Sequence, residues 1–168
     1  MSAETSAHQV LSLQLLGHVP SGFDPDYLKR LCASINSLSP IWLISGNVNV
    51  KLVDDAEIQA LNKEYSGNDY PTDVLSFSYI EQGAKPLANE LGDIAISYEI
   101  AIKQAAQAGT KLEDEVATLC LHGILHIFGF DHVMQDEQKV MDGLQKQILS
   151  SAHIIYRDFG WKNGYVEA

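Results

Sequence analysis

The chain has 168 residues, a length that fits one domain, and we predict a single domain over residues 1–168. Apolar residues make up 46% and charged residues 20%, a globular rather than a disordered balance. Eleven Lys and Arg against 22 Asp and Glu give a formal net charge of −11. This charge argues against binding duplex DNA through a broad basic face and against binding an anionic membrane surface. A local basic groove or a bound metal ion remains compatible with it.

The sequence shows no targeting signal. No apolar run approaches the roughly 18–20 residues of a membrane-spanning helix. The N-terminus lacks the basic region and apolar stretch of a secretory signal. Cys32 and Cys120 have no motif spacing and lie in apolar helical stretches, which is typical of core thiols in a reducing compartment. We therefore expect a cytoplasmic protein.

The N-terminal part of the chain predicts a strand followed by an amphipathic helix. The strand is predicted at 9–16. Asp24 and Pro25 predict a helix start, because aspartate caps helix N-termini and proline suits the first helical position. The helix over 25–38 is indicated by apolar residues at helical spacing, namely Leu28, Leu31, Cys32, Ile35 and Leu38.

A second strand and a second helix follow. Polar and apolar residues alternate from Asn47 to Leu52, which is typical of a half-buried strand. Asp54 with Glu57 three residues later resembles a capping box and predicts the start of a short helix. We expect the buried side of that helix to carry Ile58, Leu61 and Tyr65.

The middle of the chain predicts a turn, two strands and a helix. The turn at 66–73 is rich in Gly, Asn, Asp and Pro. Strands are predicted at 74–79 and 91–97, with an exposed connection between them. A helix is predicted at 98–108, ending at Gly109.

Two further helices complete the pattern. Thr110 with Glu113 predicts a capping box for a helix over 111–128, which Gly129 ends. A last helix is indicated by Val140, Met141, Leu144 and Ile148. This order of elements predicts an α+β fold, with one small mixed sheet of about four strands and about five helices packed on it.

Three histidines fall in the eleven-residue window HGILHIFGFDH, namely His122, His126 and His132. Helical residues four apart project from the same face, one turn from each other. Gly129 can adopt a positive φ and reverse the chain, which would bring His132 to the same point. Three imidazoles suit one Zn²⁺ per chain, although their chemistry also allows Ni²⁺, Cu²⁺ or Fe²⁺. This spacing favours a metal site over three unrelated polar residues.

A structural zinc usually has four protein ligands. Cys120 is a candidate fourth ligand, but it lies about 200° around the helix from His122 and should point away. Three protein ligands leave one position for water or substrate. We therefore interpret the site as catalytic, with a zinc-bound water as its reactive group and no catalytic side chain assigned.

The histidine spacing is also that of the metzincin proteases. Those enzymes carry a glutamate directly after the first histidine, as the general base. Gly123 occupies that position here. Peptide hydrolysis is therefore disfavoured, whereas metal-assisted hydrolysis of another bond is not.

The histidine window resembles the signature of the YbeY family, bacterial single-strand-specific endoribonucleases of ribosomal RNA maturation. The resemblance extends over roughly residues 45–150 and includes LNKEYSGNDYPTDVLSFSY (61–79), LGDIAIS (91–97), Glu115 and Met141. It implies an α+β fold with zinc held by the three histidines. It also implies a cytoplasmic role in processing the 3′ end of small-subunit ribosomal RNA and in ribosome quality control. The implied partners are single-stranded ribosomal RNA and the ribosome or its small subunit.

The chain departs from the family pattern at one position. Family members usually carry an arginine linked to RNA cleavage after the tyrosine matched by Tyr65, but this chain has Ser66. Asn68 follows where a lysine is often found. A guanidinium matches the phosphate oxygens that carry charge in phosphodiester cleavage. We place Ser66 and Asn68 in a possible substrate groove, where either zinc or another cation replaces the arginine or the chain does not cut.

Three functions therefore stay open. The leading one is a zinc-dependent endoribonuclease; its rivals are a non-cleaving ribosome-assembly or RNA-binding factor with a structural metal, and a zinc hydrolase of another substrate.

Asp131 either orients a ligand histidine through a hydrogen bond or serves the turn. We expect Asp73 and Asp93 to be structural hydrogen-bond acceptors, and Glu115 to be solvated or ion-paired.

Overall fold

The chain forms four strands and five helices in the residues that the computed structural model describes, which are 10–40, 42–80, 89–130 and 135–156. In chain order they are β1 (Leu11–Leu16), α1 (Asp26–Leu38), β2 (Gly46–Val53), α2 (Asp55–Ser66), β3 (Val74–Ser78), β4 (Glu90–Ser97), α3 (Tyr98–Ala108), α4 (Leu112–Ile127) and α5 (Gln135–Ser151). The α+β class predicted from the sequence is confirmed.

The strands form one mixed sheet in the order β1-β2-β4-β3. Strands β1, β2 and β4 run parallel, whereas β3 pairs antiparallel with β4. Parallel neighbours require a crossover connection, and α1 provides one between β1 and β2.

The two faces of the sheet are covered unequally. Val48 and Val50 of β2 are fully buried in the main core, which also contains residues of α1, α4 and α5. Side chains alternate along a strand, so Asn49 and Lys51 point to the opposite face. Helix α2 covers only part of that face, where a smaller apolar cluster holds Val53, Ile58, Leu75 and Ala95. The described residues leave the rest of this face uncovered.

Helix α4 lies at the centre of the main core. Every residue from Asp114 to Leu125 is buried, as expected of a helix that other elements surround. Gly123 allows this helix to approach β4 closely, because a Cβ atom there would lie 2.9 Å from Cδ1 of Ile94. None of the helices in the described part of the chain is long and apolar enough to cross a membrane.

The predicted helix ends are confirmed at two places and wrong at a third. The Asp54 carboxylate accepts a 2.8 Å hydrogen bond from the Glu57 N–H, and Gly109 ends α3 with φ +70. Helix α4, however, is capped at Lys111, whose N–H donates to the Asp114 carboxylate at 3.2 Å. The capping box was predicted at Thr110 and Glu113, and the structure forms it one residue later, at Lys111 and Asp114. The Asp114 carboxylate also accepts from the Ile155 N–H at 3.0 Å, a tertiary contact that local spacing does not reveal.

One apolar side chain is more exposed than predicted. Tyr65 is 62% exposed, and the buried residues of α2 are Ile58 and Asn62. In α5, which the sequence predicted as a helix, Val140 is 56% exposed, whereas Met141 and Ile148 are buried.

Candidate functional site

Helix α4 brings two of the three predicted metal ligands together. The imidazole rings of His122 and His126 lie with centroids 4.4 Å apart and planes inclined by 65°. His122 is buried and His126 is half-buried. The four-residue step places both rings on one face of the helix, as the sequence predicted.

The chain turns immediately after His126. Gly129 adopts φ +92, and its N–H donates to the His126 carbonyl oxygen at 3.0 Å. The Trp42 ring packs on both aromatic residues that flank Gly129, with centroid distances of 5.0 Å to Phe128 and 5.3 Å to Phe130. These contacts fix the end of α4, next to the histidine pair. Asp131 and His132, the two predicted site residues that follow, lie outside the described residues.

The described residues fit a zinc site in part. Two neighbouring imidazoles on one helix face, one buried and one half-buried, are the donor type that zinc prefers. No group of three His, Cys, Asp or Glu residues that could hold a metal occurs within the described ranges. Burial raises the pKa of the Cys120 thiol, which disfavours the thiolate that a metal would require. The ligand set that includes His132 stays a prediction.

Among the other acidic residues singled out from the sequence, two accept hydrogen bonds as expected. Asp73 accepts from the Val74 N–H at 2.8 Å and from Gln104 Nε2 at 3.3 Å. Burial raises the pKa of Asp73 from 3.8 to about 6, and these hydrogen bonds offset part of that rise. Asp93 accepts from Asn49 and from a tyrosine described below. The expectation for Glu115 is wrong in one respect, because this residue is buried rather than solvated, at 3% exposure.

The turn between α2 and β3 follows Ser66 and contains Asn68, the two residues predicted for a substrate groove. Ser66 is the exposed last residue of α2, and Asn68 is half-buried in the turn. The turn is tied back to α2 by a 3.0 Å hydrogen bond from Gln59 Nε2 to the Asp69 carboxylate and by a 2.9 Å hydrogen bond from Asn62 Nδ2 to the carbonyl oxygen of residue 70. The backbone beside Ser66 is therefore held by specific contacts.

An open-face groove of about 800 Å³ occupies the uncovered part of the sheet, beside α2. Its lining includes Asn49, Tyr65, Phe77, Tyr79, Glu90 and Asp93. Of the residues predicted for a substrate groove, neither Ser66 nor Asn68 is part of this lining, although Tyr65 directly precedes Ser66 in the chain.

A hydrogen-bonded network crosses the floor of the open-face groove. Asn49 Nδ2 donates to the Glu90 carboxylate at 2.9 Å and to the Asp93 carboxylate at 3.0 Å. The Tyr79 hydroxyl donates to the other oxygen of Asp93. This bond and the nearby carboxylates raise the pKa of Tyr79 to about 12, so the phenol stays protonated and keeps donating. Asn47 Nδ2 adds a 2.8 Å bond to Asn49 Oδ1.

The sequence analysis did not identify this network. The alternation of Asn47 and Asn49 with valines indicated which β2 side chains leave the core. It did not indicate that β4 would pair with β2 and set Asp93 opposite Asn49. That register joins residues 44 positions apart and depends on the whole sheet.

The fold and site define a class of protein: an α+β domain in which a mixed sheet packs on a buried helix that presents a histidine pair. A family model for the endoribonuclease YbeY matches residues 27–153. The chain belongs to the YbeY endoribonuclease family, which confirms the resemblance found in the sequence.

Individual relatives agree with this assignment. The endoribonuclease YbeY of Bacillus licheniformis is 44% identical over 110 residues, a match that covers 61% of this chain and 70% of the relative. The endoribonuclease YbeY of Pelotomaculum thermopropionicum is 41% identical over 112 residues, covering 64% and 72%. The solution structure of TM1509 from Thermotoga maritima matches with a TM-score of 0.56 at 23% identity, covering 88% of this chain and 98% of that one, and supports the fold alone.

Proposed function

We propose that this chain is a zinc-dependent endoribonuclease that cuts single-stranded ribosomal RNA in the cytoplasm. Its proposed task is maturation of the 3′ end of small-subunit ribosomal RNA, together with ribosome quality control. The observation that carries the proposal is the His122–His126 pair, 4.4 Å apart on the central helix of a chain that belongs to this family.

The histidines would hold the metal. His122 and His126 supply two imidazoles from one helix face, and His132 is the proposed third ligand. Zinc, when bound, supplies Lewis-acid stabilisation of developing negative charge and acidifies water near neutral pH. Burial of His122 limits the access of solvent to that ligand, which supports a site held at low dielectric.

The chain's own residues argue against proteolysis. A glutamate in place of Gly123 would act as a general base in a metzincin. Here that position packs against Ile94, with no room for a side chain. A glycine in place of the metzincin base at position 123 fits a phosphodiester substrate better than a peptide, because phosphoryl transfer is catalysed chiefly by positioning and electrostatic stabilisation.

A cleavage assay on defined RNA tests the proposal. A labelled oligoribonucleotide is incubated with the protein as a single strand and as a duplex, with and without a zinc chelator. We expect cleavage of the single strand alone, loss of cleavage with the chelator, and recovery when zinc is added back. Cleavage that the chelator leaves unchanged would contradict the proposal.

A second function is favoured by one observation. Ser66 stands where family members usually have the arginine linked to RNA cleavage, so the chain could act as a ribosome-assembly factor that binds RNA and does not cut it. RNA binding without cleavage under any metal condition would support this alternative, and cleavage by the purified chain would exclude it.

A further inference from the structure

Among the described residues, the network on the floor of the open-face groove uses its own donors internally and leaves acceptors available. Both protons of Asn49 Nδ2 are given to the carboxylates of Glu90 and Asp93, and the Tyr79 hydroxyl proton is given to Asp93. The Asn47 amide also donates within the network, to Asn49 Oδ1 and Glu90 Oε2. An ionised carboxylate has about four acceptor sites, so both carboxylates keep spare acceptor capacity. A ligand of this floor must therefore bring its own donors.

The wall of the open-face groove is aromatic. Tyr65 is 62% exposed and meets Phe77 edge to face, with ring centroids 5.0 Å apart. Exposed aromatic rings beside fixed polar groups are how proteins hold unpaired bases, which stack on the ring and hydrogen-bond through their Watson–Crick edges. A volume of about 800 Å³ lies in the usual range for small-ligand sites.

The charge of the open-face groove excludes the RNA backbone from its floor. Glu57, Glu90 and Asp93 line the groove together with Lys51, whose ammonium group is paired with Glu57 at 2.8 Å. This surplus of carboxylates repels phosphates but accepts hydrogen bonds from the amino and imino groups of a base. The part of an RNA strand that fits the floor is therefore a base edge.

We propose that the open-face groove binds one unpaired guanine of the RNA, with its Watson–Crick edge on Glu90 and Asp93 and its face on Tyr65. Guanine is selected because its N1–H and N2–H₂ groups are adjacent donors, which a carboxylate accepts in a bidentate manner. Adenine and cytosine each offer one amino group on that edge, and uracil offers one N3–H between two carbonyl acceptors. This inference rests on the proposed function, because it takes RNA as the substrate.

The open-face groove is connected to the histidine helix. Ser78 lines the groove, and its hydroxyl donates at 2.7 Å to the carbonyl oxygen of Ile127, the residue after His126. The groove and the histidine helix lie on opposite faces of the sheet, and this hydrogen bond joins the groove strand β3 to that helix.

Nucleosides test the site without phosphate and without cleavage. We would titrate the isotope-labelled full chain with guanosine, adenosine, cytidine and uridine, and follow the side-chain amide signals of Asn47 and Asn49 by NMR. Guanosine is expected to shift these signals with an affinity about tenfold above that of uridine, as for one bidentate base contact. Equal affinities for the four nucleosides, or no shift with any of them, would overturn the inference.

Matched variants locate the contact. Glu90→Gln replaces an acceptor with a donor, so guanosine affinity should fall about tenfold, whereas uridine affinity should not fall. Glu64→Gln makes the same charge change at an exposed position of α2 outside the groove lining, and should change neither affinity. If Glu90→Gln does not fold, Tyr65→Ala provides a second test. It removes the stacking ring from an exposed position and should lower the affinity for all four nucleosides. Glu90→Gln and Tyr65→Ala variants that bind guanosine like the parent chain would overturn the site.

A basic protein segment is the competing occupant. A tetra-arginine peptide that shifts the Asn49 amide while guanosine does not would assign the groove to a protein partner and overturn the inference. The outcome is separable from the proposed function, because the chelator-dependent cleavage assay does not require guanosine binding. Cleavage of RNA with no guanosine binding would leave the endoribonuclease and remove this site alone.

Discussion

The hydroxyl of Ser78 donates a 2.7 Å hydrogen bond to the carbonyl oxygen of Ile127. This bond joins the last residue of β3 to the last residue of α4, one position beyond His126. Carbonyl groups in the last turn of a helix lack partners within the helix, so a side chain that satisfies one also fixes where the helix ends. The position of the histidine pair relative to the sheet therefore depends on this contact.

Ser78→Ala should lower the free energy of unfolding by about 1 kcal/mol, the net value of one such hydrogen bond. Urea unfolding followed by circular dichroism measures the change. Ser76→Ala in the same strand is the control, because Ser76 is also half-buried but has no side-chain hydrogen bond among those found in the described residues. Equal losses in the two variants would contradict the role assigned to the Ser78 hydroxyl.

Gly123→Ala should destabilise the fold by about 1–3 kcal/mol, because the added methyl group would meet Ile94 at 2.9 Å in a packed core. Gly143→Ala is the matched control in α5, where a Cβ atom has nothing within 4 Å. That substitution should stabilise the protein by about 0.5–1 kcal/mol through helix propensity. Thermal and urea unfolding of both variants would measure the two changes in unfolding free energy, which should have opposite signs. A neutral Gly123→Ala would contradict close packing of α4 on β4.

Asp73 should make the protein less stable as the pH rises from about 4 to above 6. Burial raises the pKa of its carboxyl from 3.8 to about 6, so in this range the folded state binds the proton more tightly than the unfolded state. The stabilising contribution of the protonated form is complete below pH 4 and is lost as the pH passes 6. At 1.36 kcal/mol per unit, the loss is at most about 3 kcal/mol.

Asp73→Asn should remove that pH dependence. The amide keeps an acceptor for the Val74 N–H and adds a donor near Gln104 Oε1, which is buried without a hydrogen-bond partner in the described part of the chain. The difference in unfolding free energy between variant and parent should move in favour of the variant between pH 4 and pH 7. A difference that stays constant over this range would show that Asp73 does not titrate as stated.

The sequence predicts the elements well where local chemistry determines them. Gly109 ends α3 with positive φ, and Asp54 caps α2 through the Glu57 N–H. Prediction fails where a tertiary contact decides the outcome. The cap of α4 moves to Lys111 because Asp114 is also held by the Ile155 N–H, 41 residues away.

The candidate site shows the same division. The His122–His126 pair follows from a four-residue step on one helix and needs no knowledge of the fold. The open-face groove could not be predicted, because it requires the pairing of β2 with β4 and the incomplete cover that α2 provides. Tyr65 illustrates the limit: its helical spacing predicts burial, but the helix ends beside an uncovered part of the sheet, and the ring lines the groove.

His126→Ala should abolish stoichiometric zinc binding, because two remaining imidazoles hold the ion too weakly to survive dialysis. Metal content of protein purified without chelator, measured by elemental analysis, tests this expectation. His18→Ala is the control, because His18 is an exposed residue outside the histidine window. One zinc per chain in the His126→Ala variant would show that the metal, if bound, lies elsewhere.

Ser66→Arg should raise the rate of RNA cleavage. Ser66 is exposed at the end of α2, and the turn that follows is held by Gln59 and Asn62, so a new side chain there would project from a fixed backbone. A guanidinium matches phosphate oxygens in charge and geometry, and one charged donor at such a site is commonly worth about 10²–10³ in rate.

Ser150→Arg is the control for Ser66→Arg, because it adds the same charge in the last turn of α5 and should have no comparable effect. A gain that acts through binding should shrink as salt is added, because phosphate contacts release counterions. Cleavage rates of parent, Ser66→Arg and Ser150→Arg at two salt concentrations test this; equal rates for all three would mean that another cation already fills the role of the family arginine.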